Sequence, residues 1–150
     1  MTERTIEMEG YSFERVKSFI YLGADINQEN KISAEIENRI MAGNRTYYAN
    51  LKLFRSSLLS RKTKLNLYKT LVRPVVTYTS ETWTLGSVTV KMLRIFERKV
   101  LRKIYGPICD EGEWRIRKNT ELYELYGECD IVAFIKARRI EWLGHVMRMT

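Results

Sequence analysis

The 150-residue sequence is poor in the residue types that build metal and redox sites: it has 2 cysteines, 1 histidine and only three aspartates among its 18 acids. Cys109, Cys129 and His145 cannot make a zinc finger or knuckle, because such sites take four Cys or His ligands at close spacing. Asp25, Asp110 and Asp130 stand apart, and none belongs to a paired arrangement able to hold two catalytic magnesium ions. No apolar run reaches 18 residues, and Met1-Thr2-Glu3-Arg4 leads into an acidic stretch, so neither a membrane span nor a secretory signal is visible. The expected setting is intracellular, nuclear or cytoplasmic, with both thiols reduced and no membrane or small-molecule partner. Proline and glycine are also scarce, at 2 and 8. With 45% hydrophobic and 29% charged residues, this composition excludes collagen-like and disordered chains and fits one folded domain.

What is abundant is positive charge, and it is concentrated. Residues 31–103 hold 16 basic and 4 acidic side chains, a net +12, whereas residues 1–30 carry −3 and residues 104–150 carry −1. Such a segment is either a surface facing a polyanion, where lysine and arginine gain free energy by releasing condensed counterions, or a basic solvated surface.

The first thirty residues read as strands. Thr5 to Glu9 alternates apolar with polar, Gly10 supplies a turn, Ser12 to Val16 resumes, and Ser18 to Ile26 is β-rich around Gly23. A small antiparallel hairpin with Leu22 and Gly23 at or near its tip is expected. From Ser33 the period turns helical: Ile36, Ile40, Gly43, Tyr47, Leu51, Phe54 and Leu58 predict a helix from about Ser33 to Leu58. A second helix follows Ser60, with Lys62, Asn66, Lys69 and Arg73 on one face and Pro74 placed to kink or end it. Between Val75 and Trp83 propensity does not separate helix from strand.

A third helix, about Val88 to Tyr105, sets Lys91, Arg94, Arg98 and Arg102 in one stripe opposite Leu93, Phe96, Val100 and Ile104. Residues 107–118 read as a loop carrying Trp114, followed by a short helix near Thr120 to Tyr126 and a last one capped by Asp130 and running to about Arg148. The fold class is therefore mainly α: a helical bundle preceded by a short antiparallel β-hairpin. Its parts are residues 1–30 (hairpin), 31–106 (basic helical bundle) and 107–150 (C-terminal helical connection).

Four stretches carry a likeness in order: Phe13 to Val16, Phe19 to Gly23, Leu67 to Trp83 and Arg139 to Met149. Together they resemble the C-terminal region of the reverse transcriptase of non-LTR retrotransposons, over almost the whole chain. The resemblance implies that Phe19 to Gly23 is the primer-grip hairpin, with Leu22 and Gly23 against the primer strand. The rest would be thumb and connection, and the basic faces of the second and third helices would contact an RNA/DNA template–primer duplex. The family's magnesium-binding aspartates lie in a palm upstream of the grip, and here only about a dozen residues precede Phe13. A fragment of an RNA-directed DNA polymerase is thus expected, separated from its palm and fingers, with no cofactor in this chain, magnesium only in the missing palm, and no polymerase activity as an isolated chain.

Each specific reading has a plain counterpart. Phe19, Tyr21 and Leu22 also suit the core of a small sheet, and a charge stripe is ordinarily a solvated helix face. The near absence of acids around Lys91, Arg94, Arg98 and Arg102 favours phosphate contact, since a face built for solubility mixes signs. His145 has no nucleophile or acid placed beside it by sequence and is assigned no chemistry. Trp114, in a polar loop, is the aromatic whose exposure is the one to test. Arg138 interrupts the apolar stripe of the last helix and hints at a lost interface, which leaves a protein-interaction module or a non-functional remnant of a transposable element as the alternative function.

Overall fold

The computed structural model describes residues 5–21, 23–28 and 32–149. Two hairpins come first. β1 (Thr5–Met8) pairs antiparallel with β2 (Tyr11–Glu14), and β3 (Ser18–Tyr21) pairs with β4 (Ala24–Asn27). Gly10 (φ +81°) and Gly23 (φ +80°) occupy the turns in a left-handed conformation that costs glycine no Cβ clash. The two ladders stay separate rather than merging into one sheet, and Ile6, Phe13, Phe19 and Ile20 are exposed on them.

The long first helix expected from Ser33 to Leu58 is instead two: α1 (Ile32–Ala49) and α2 (Leu51–Arg55), parted at Asn50. Side chains near the break add bonds to backbone carbonyls, while the Asn50 amide still reaches the Thr46 carbonyl at 3.2 Å. Thr46 Oγ1 donates to the Ala42 carbonyl at 3.1 Å, and Asn50 Nδ2 donates to the Thr46 carbonyl at 2.9 Å. Short polar side chains that compete with the helical ladder favour such ends.

The second helical stretch runs through Pro74 without stopping, which corrects the simplest expectation for a proline. α3 (Arg61–Leu67), capped by Ser60 Oγ accepting from the Thr63 amide, passes into a wide turn over Tyr68–Val72 and then into α4 (Arg73–Val76). In that wide turn the Arg73 amide reaches back five residues to the Tyr68 carbonyl. The extra residue makes room for the pyrrolidine ring, which would clash with the carbonyl four residues earlier in a regular α-helix. Residues 77–83 then form turns, including a single 3-10 turn at Ser80–Thr82.

α5 (Ser87–Tyr105) matches its expected span. The stretch 107–118, expected to be a loop, holds a third hairpin: β5 (Ile108–Asp110) against β6 (Glu113–Arg115), with Cys109 opposite Trp114. Its two-residue tip is Glu111 (φ +50°) and Gly112 (φ +88°), the conformation that suits the twist of paired strands. Trp114 is 73% exposed there. α6 (Asn119–Tyr126) ends at Gly127 in the left-handed conformation, and α7 (Ile131–Met149) follows, its start capped by Asp130 Oδ1 accepting from the Ala133 amide at 2.8 Å.

The core is formed almost entirely by the helices. Ile36 and Tyr47 of α1, Phe54 of α2, Tyr68 and Val72 of the wide turn, Leu93 and Val100 of α5, Leu122 of α6 and Ile131 and Ile135 of α7 are all buried in it, with Trp83. Gly43 is what lets α1 approach α4, since a Cβ at that position would fall 2.2 Å from Val76 Cγ2 and 3.1 Å from Phe96 Cζ. The fold is mainly α, as the periodicities predict. Among the described residues no helix is long and apolar enough to cross a membrane.

Candidate nucleic-acid interface

The two predicted basic rows flank one acidic segment of the same chain. Residues 119–130, which comprise α6 and the turn into α7, form an elbow between them. From the α3–α4 side, Lys69 pairs with Glu128, and Arg73 lies 4.1 Å over the Phe134 ring with Nη1 3.5 Å from the Tyr126 hydroxyl. From the α5 side, Arg94 Nε donates to Asp130 Oδ2 at 2.7 Å and Arg102 Nη2 donates to Asn119 Oδ1 at 2.6 Å. Arg98 lies beside the Tyr123 phenol, whose pKa burial and Glu97 raise and Arg98 partly lowers. Lys69, Arg73, Arg94 and Arg102 therefore have partners within the fold. Lys62 and Asn66 on α3 and Lys91 on α5 are exposed.

A buried carboxylate locks the elbow in place. Glu97 of α5 is fully buried, accepts from the Tyr68 hydroxyl at 2.9 Å through Oε1, and accepts from the Ile131 amide at 2.9 Å through Oε2. That amide opens α7, so the carboxylate satisfies an orphan donor and meets the positive end of the helix. Burial nevertheless pushes the Glu97 carboxyl above the usual range, with the two hydrogen bonds opposing the shift. Reading α5 as one cationic and one apolar stripe overlooked Glu97. The available signal was its spacing, four residues after Leu93 and four before Leu101, which puts an acid on the core face.

Further ties fix the flanks. Arg115 of β6 makes a two-pronged bond to Glu121, at 3.0 and 2.8 Å, and this arrangement holds the Glu121 carboxyl down to about 2. Arg138 donates to Glu81 Oε1 through Nη2 at 2.7 Å and Nε at 3.1 Å. Its interruption of the apolar stripe is thus explained by a tie from α7 to the turn at Ser80–Thr82. Burial raises the Glu81 carboxyl, but the bonds from Arg138 and the backbone outweigh it and leave Glu81 below the usual value.

At the hairpin tip, Leu22 lies outside the described residues. The Gly23 carbonyl accepts from Arg39 of α1, which also binds Glu35 at 2.6 Å and lies 4.7 Å over the Tyr78 ring. The tip is therefore anchored to the helical body beside Tyr78, whose Cε1 is 3.5 Å from where a Gly23 Cβ would stand. Cys109 and Cys129 are free and exposed, and His145 is exposed with its ring 5.7 Å from that of Trp142. Among the described residues no three His, Cys, Asp or Glu side chains converge as metal ligands.

A putative uncharacterized transposon-derived protein of Caenorhabditis elegans is 29% identical over 133 residues, which cover 89% of this chain and 47% of that protein. The chain thus spans about half the length of the curated relative it matches. No family model matches the chain. No solved structure matches it either. The likeness supports a transposable-element origin.

Proposed function

We propose that the chain is a thumb-like module from a retroelement reverse transcriptase, that it binds the phosphate backbone of an RNA–DNA duplex without regard to sequence, and that it performs no polymerase step itself. The observation behind this reading is the fate of the four acids within residues 31–103. Glu35 binds Arg39, Glu81 binds Arg138 and Glu97 is buried, which leaves Glu37 exposed and, among the described residues, without an ion pair beside many outward-facing cations. A surface evolved for solubility alone mixes signs, and a single-sign surface repels itself unless a polyanion neutralises it. The order of sequence motifs supplies the polymerase assignment, and the docking of Gly23 beside Tyr78 joins the proposed grip to the thumb.

Fluorescence anisotropy with a labelled 20-base-pair RNA–DNA duplex tests the reading. Affinity should fall steeply between 50 and 200 mM salt, with a log–log slope of about −0.9 for each phosphate neutralised. A flat salt response, or no binding at 50 mM, refutes it. Primer extension by this chain with magnesium would refute the non-catalytic half.

One observation favours an interaction module instead. The end of α7 leaves Ile140, Leu143, Met147 and Met149 exposed and Trp142 half exposed. Self-association or partner capture lost on Leu143→Asp, in a protein with no affinity for nucleic acid, would make that reading the better one.

A further inference from the structure

The acid-free part of the chain forms a second cationic edge, away from the elbow. No aspartate or glutamate occurs between Glu37 and Glu81. Within that stretch Arg45 and Tyr48 of α1 and Lys52 and Arg55 of α2 recur at i, i+3, i+7 and i+10, which keeps them on one side despite the break at Asn50. All four are exposed. Across the break the Tyr47 and Phe54 rings lie 5.3 Å apart and the Arg55 charge acts on the Tyr47 phenol.

α5 completes the edge. Lys99 Nζ donates to Asn44 Oδ1 at 2.9 Å and lies 4.3 Å over the Tyr48 ring, so its ammonium is held in place rather than swinging freely. One turn on, Lys103 is exposed on the same face of α5. Arg45, Lys52, Arg55, Lys99 and Lys103 make no ion pair with any described carboxylate, in contrast to Lys69 and Arg94 at the elbow.

We infer that this edge, formed by Arg45, Tyr48, Lys52, Arg55, Lys99 and Lys103, is the surface on which the phosphate backbone of a nucleic-acid duplex is held. The inference rests on the reading that the chain binds nucleic acid, and it moves the contact away from the two rows, in which the elbow acids already pair Lys69 and Arg94. Unpaired cations at one-turn intervals release counterions when phosphates replace them, whereas cations already bonded to Glu128 or Asp130 release few. A lysine fixed over an aromatic ring loses less freedom on binding than an unrestrained one.

The test compares three proteins of confirmed far-UV CD and melting temperature, each titrated with RNA–DNA, RNA–RNA and DNA duplexes at several salt concentrations. They are the wild type, the edge triple Lys52→Glu, Arg55→Glu and Lys103→Glu, and the control triple Lys118→Glu, Lys136→Glu and Arg148→Glu, all at exposed positions. A neutral edge set, Lys52→Gln, Arg55→Gln and Lys103→Gln, replaces the first should reversal disturb folding. The expected result is at least a tenfold loss of affinity at 50 mM salt for the edge triple, with a salt slope shallower by about 3, and a markedly smaller change in the control. Wild-type binding with equal losses in both triples overturns the edge while leaving the nucleic-acid reading intact. A wild type that binds no duplex overturns both. Binding to vesicles of anionic lipid but to no duplex identifies a membrane surface and likewise overturns the inference.

Discussion

Removing the Glu97 carboxylate should unfasten the C-terminal elbow. In Glu97→Ala the Tyr68 hydroxyl and the Ile131 amide both lose their acceptor inside the core. A buried polar group left without a partner costs about 1–3 kcal/mol, so the two together cost about 2–6 kcal/mol. Part of this is returned because a buried carboxylate is itself expensive to desolvate. A net loss of about 3 kcal/mol is expected, read as a lower urea midpoint at unchanged m-value. Glu97→Gln, which keeps one acceptor, should lose about 1–3 kcal/mol. The pH dependence gives a second readout. Burial raises the folded-state pKa of Glu97 above its unfolded value, so its contribution is complete below the unfolded value and is lost as pH rises through the folded one. The stability of the wild type relative to Glu97→Gln should therefore decline as pH is raised from the ordinary glutamate range toward neutrality. An alanine variant as stable as the wild type, or a difference that grows with pH, refutes the assignment of Glu97 as the buried lock.

Other consequences are as direct. Gly43→Ala places a Cβ 2.2 Å from Val76 Cγ2, and because Val76 is fully buried and cannot turn away, the variant should lose about 1–3 kcal/mol despite alanine's better helix propensity, seen as a lower melting temperature. Arg39→Ala removes the donor to the Gly23 carbonyl, so hydrogen exchange should accelerate in β3 and β4 while α5 amides remain protected; equal protection of the hairpin in both proteins disproves the anchor. Glu121 should titrate in carbon-detected NMR near pH 2 in the wild type and close to an ordinary glutamate in Arg115→Ala, since its bonds to Arg115 hold the charged form. Its lowered pKa contributes stability above the unfolded value that is lost as pH falls toward 2, the opposite sense to Glu97.

Helix periodicity made α5, α6 and α7 legible almost to the residue, because each bears a clear apolar stripe bounded by a glycine or an aspartate cap. The break at Asn50 was not legible. The apolar spacing from Ile36 to Leu58 continues across it, and nothing in that spacing marks Asn50, whose backbone (φ −99°, ψ 12°) departs from the helix. The hairpin at 108–115 escaped notice because its strands are three residues long and mostly exposed, so no burial alternation marks them; Glu111-Gly112 was the one available signal. For the site, a helix projection correctly grouped Lys69 with Arg73 and Arg94 with Arg98 and Arg102. It had no means of finding that Glu128 and Asp130, some 30 to 60 residues further on, would come between the groups.

Net charge over a segment is a sum, and folding divides it. The +12 of residues 31–103 separates into cations that meet the chain's own acids, such as Lys69 and Arg94 at the elbow, and cations that meet no described carboxylate, on α1, α2, α3 and α5. The first group contributes to docking of α6 and α7 by short-range bonds that survive moderate salt where they are partly buried. Apart from Lys99, which bonds to Asn44 and lies over Tyr48, the second group repels itself in the free protein, a cost that a polyanion would remove. On the proposed function the two groups respond oppositely to an added duplex: the elbow pairs compete with it and the exposed edge receives it. The position of carboxylates, more than the number of lysines and arginines, therefore marks the surface proposed to hold a phosphate backbone.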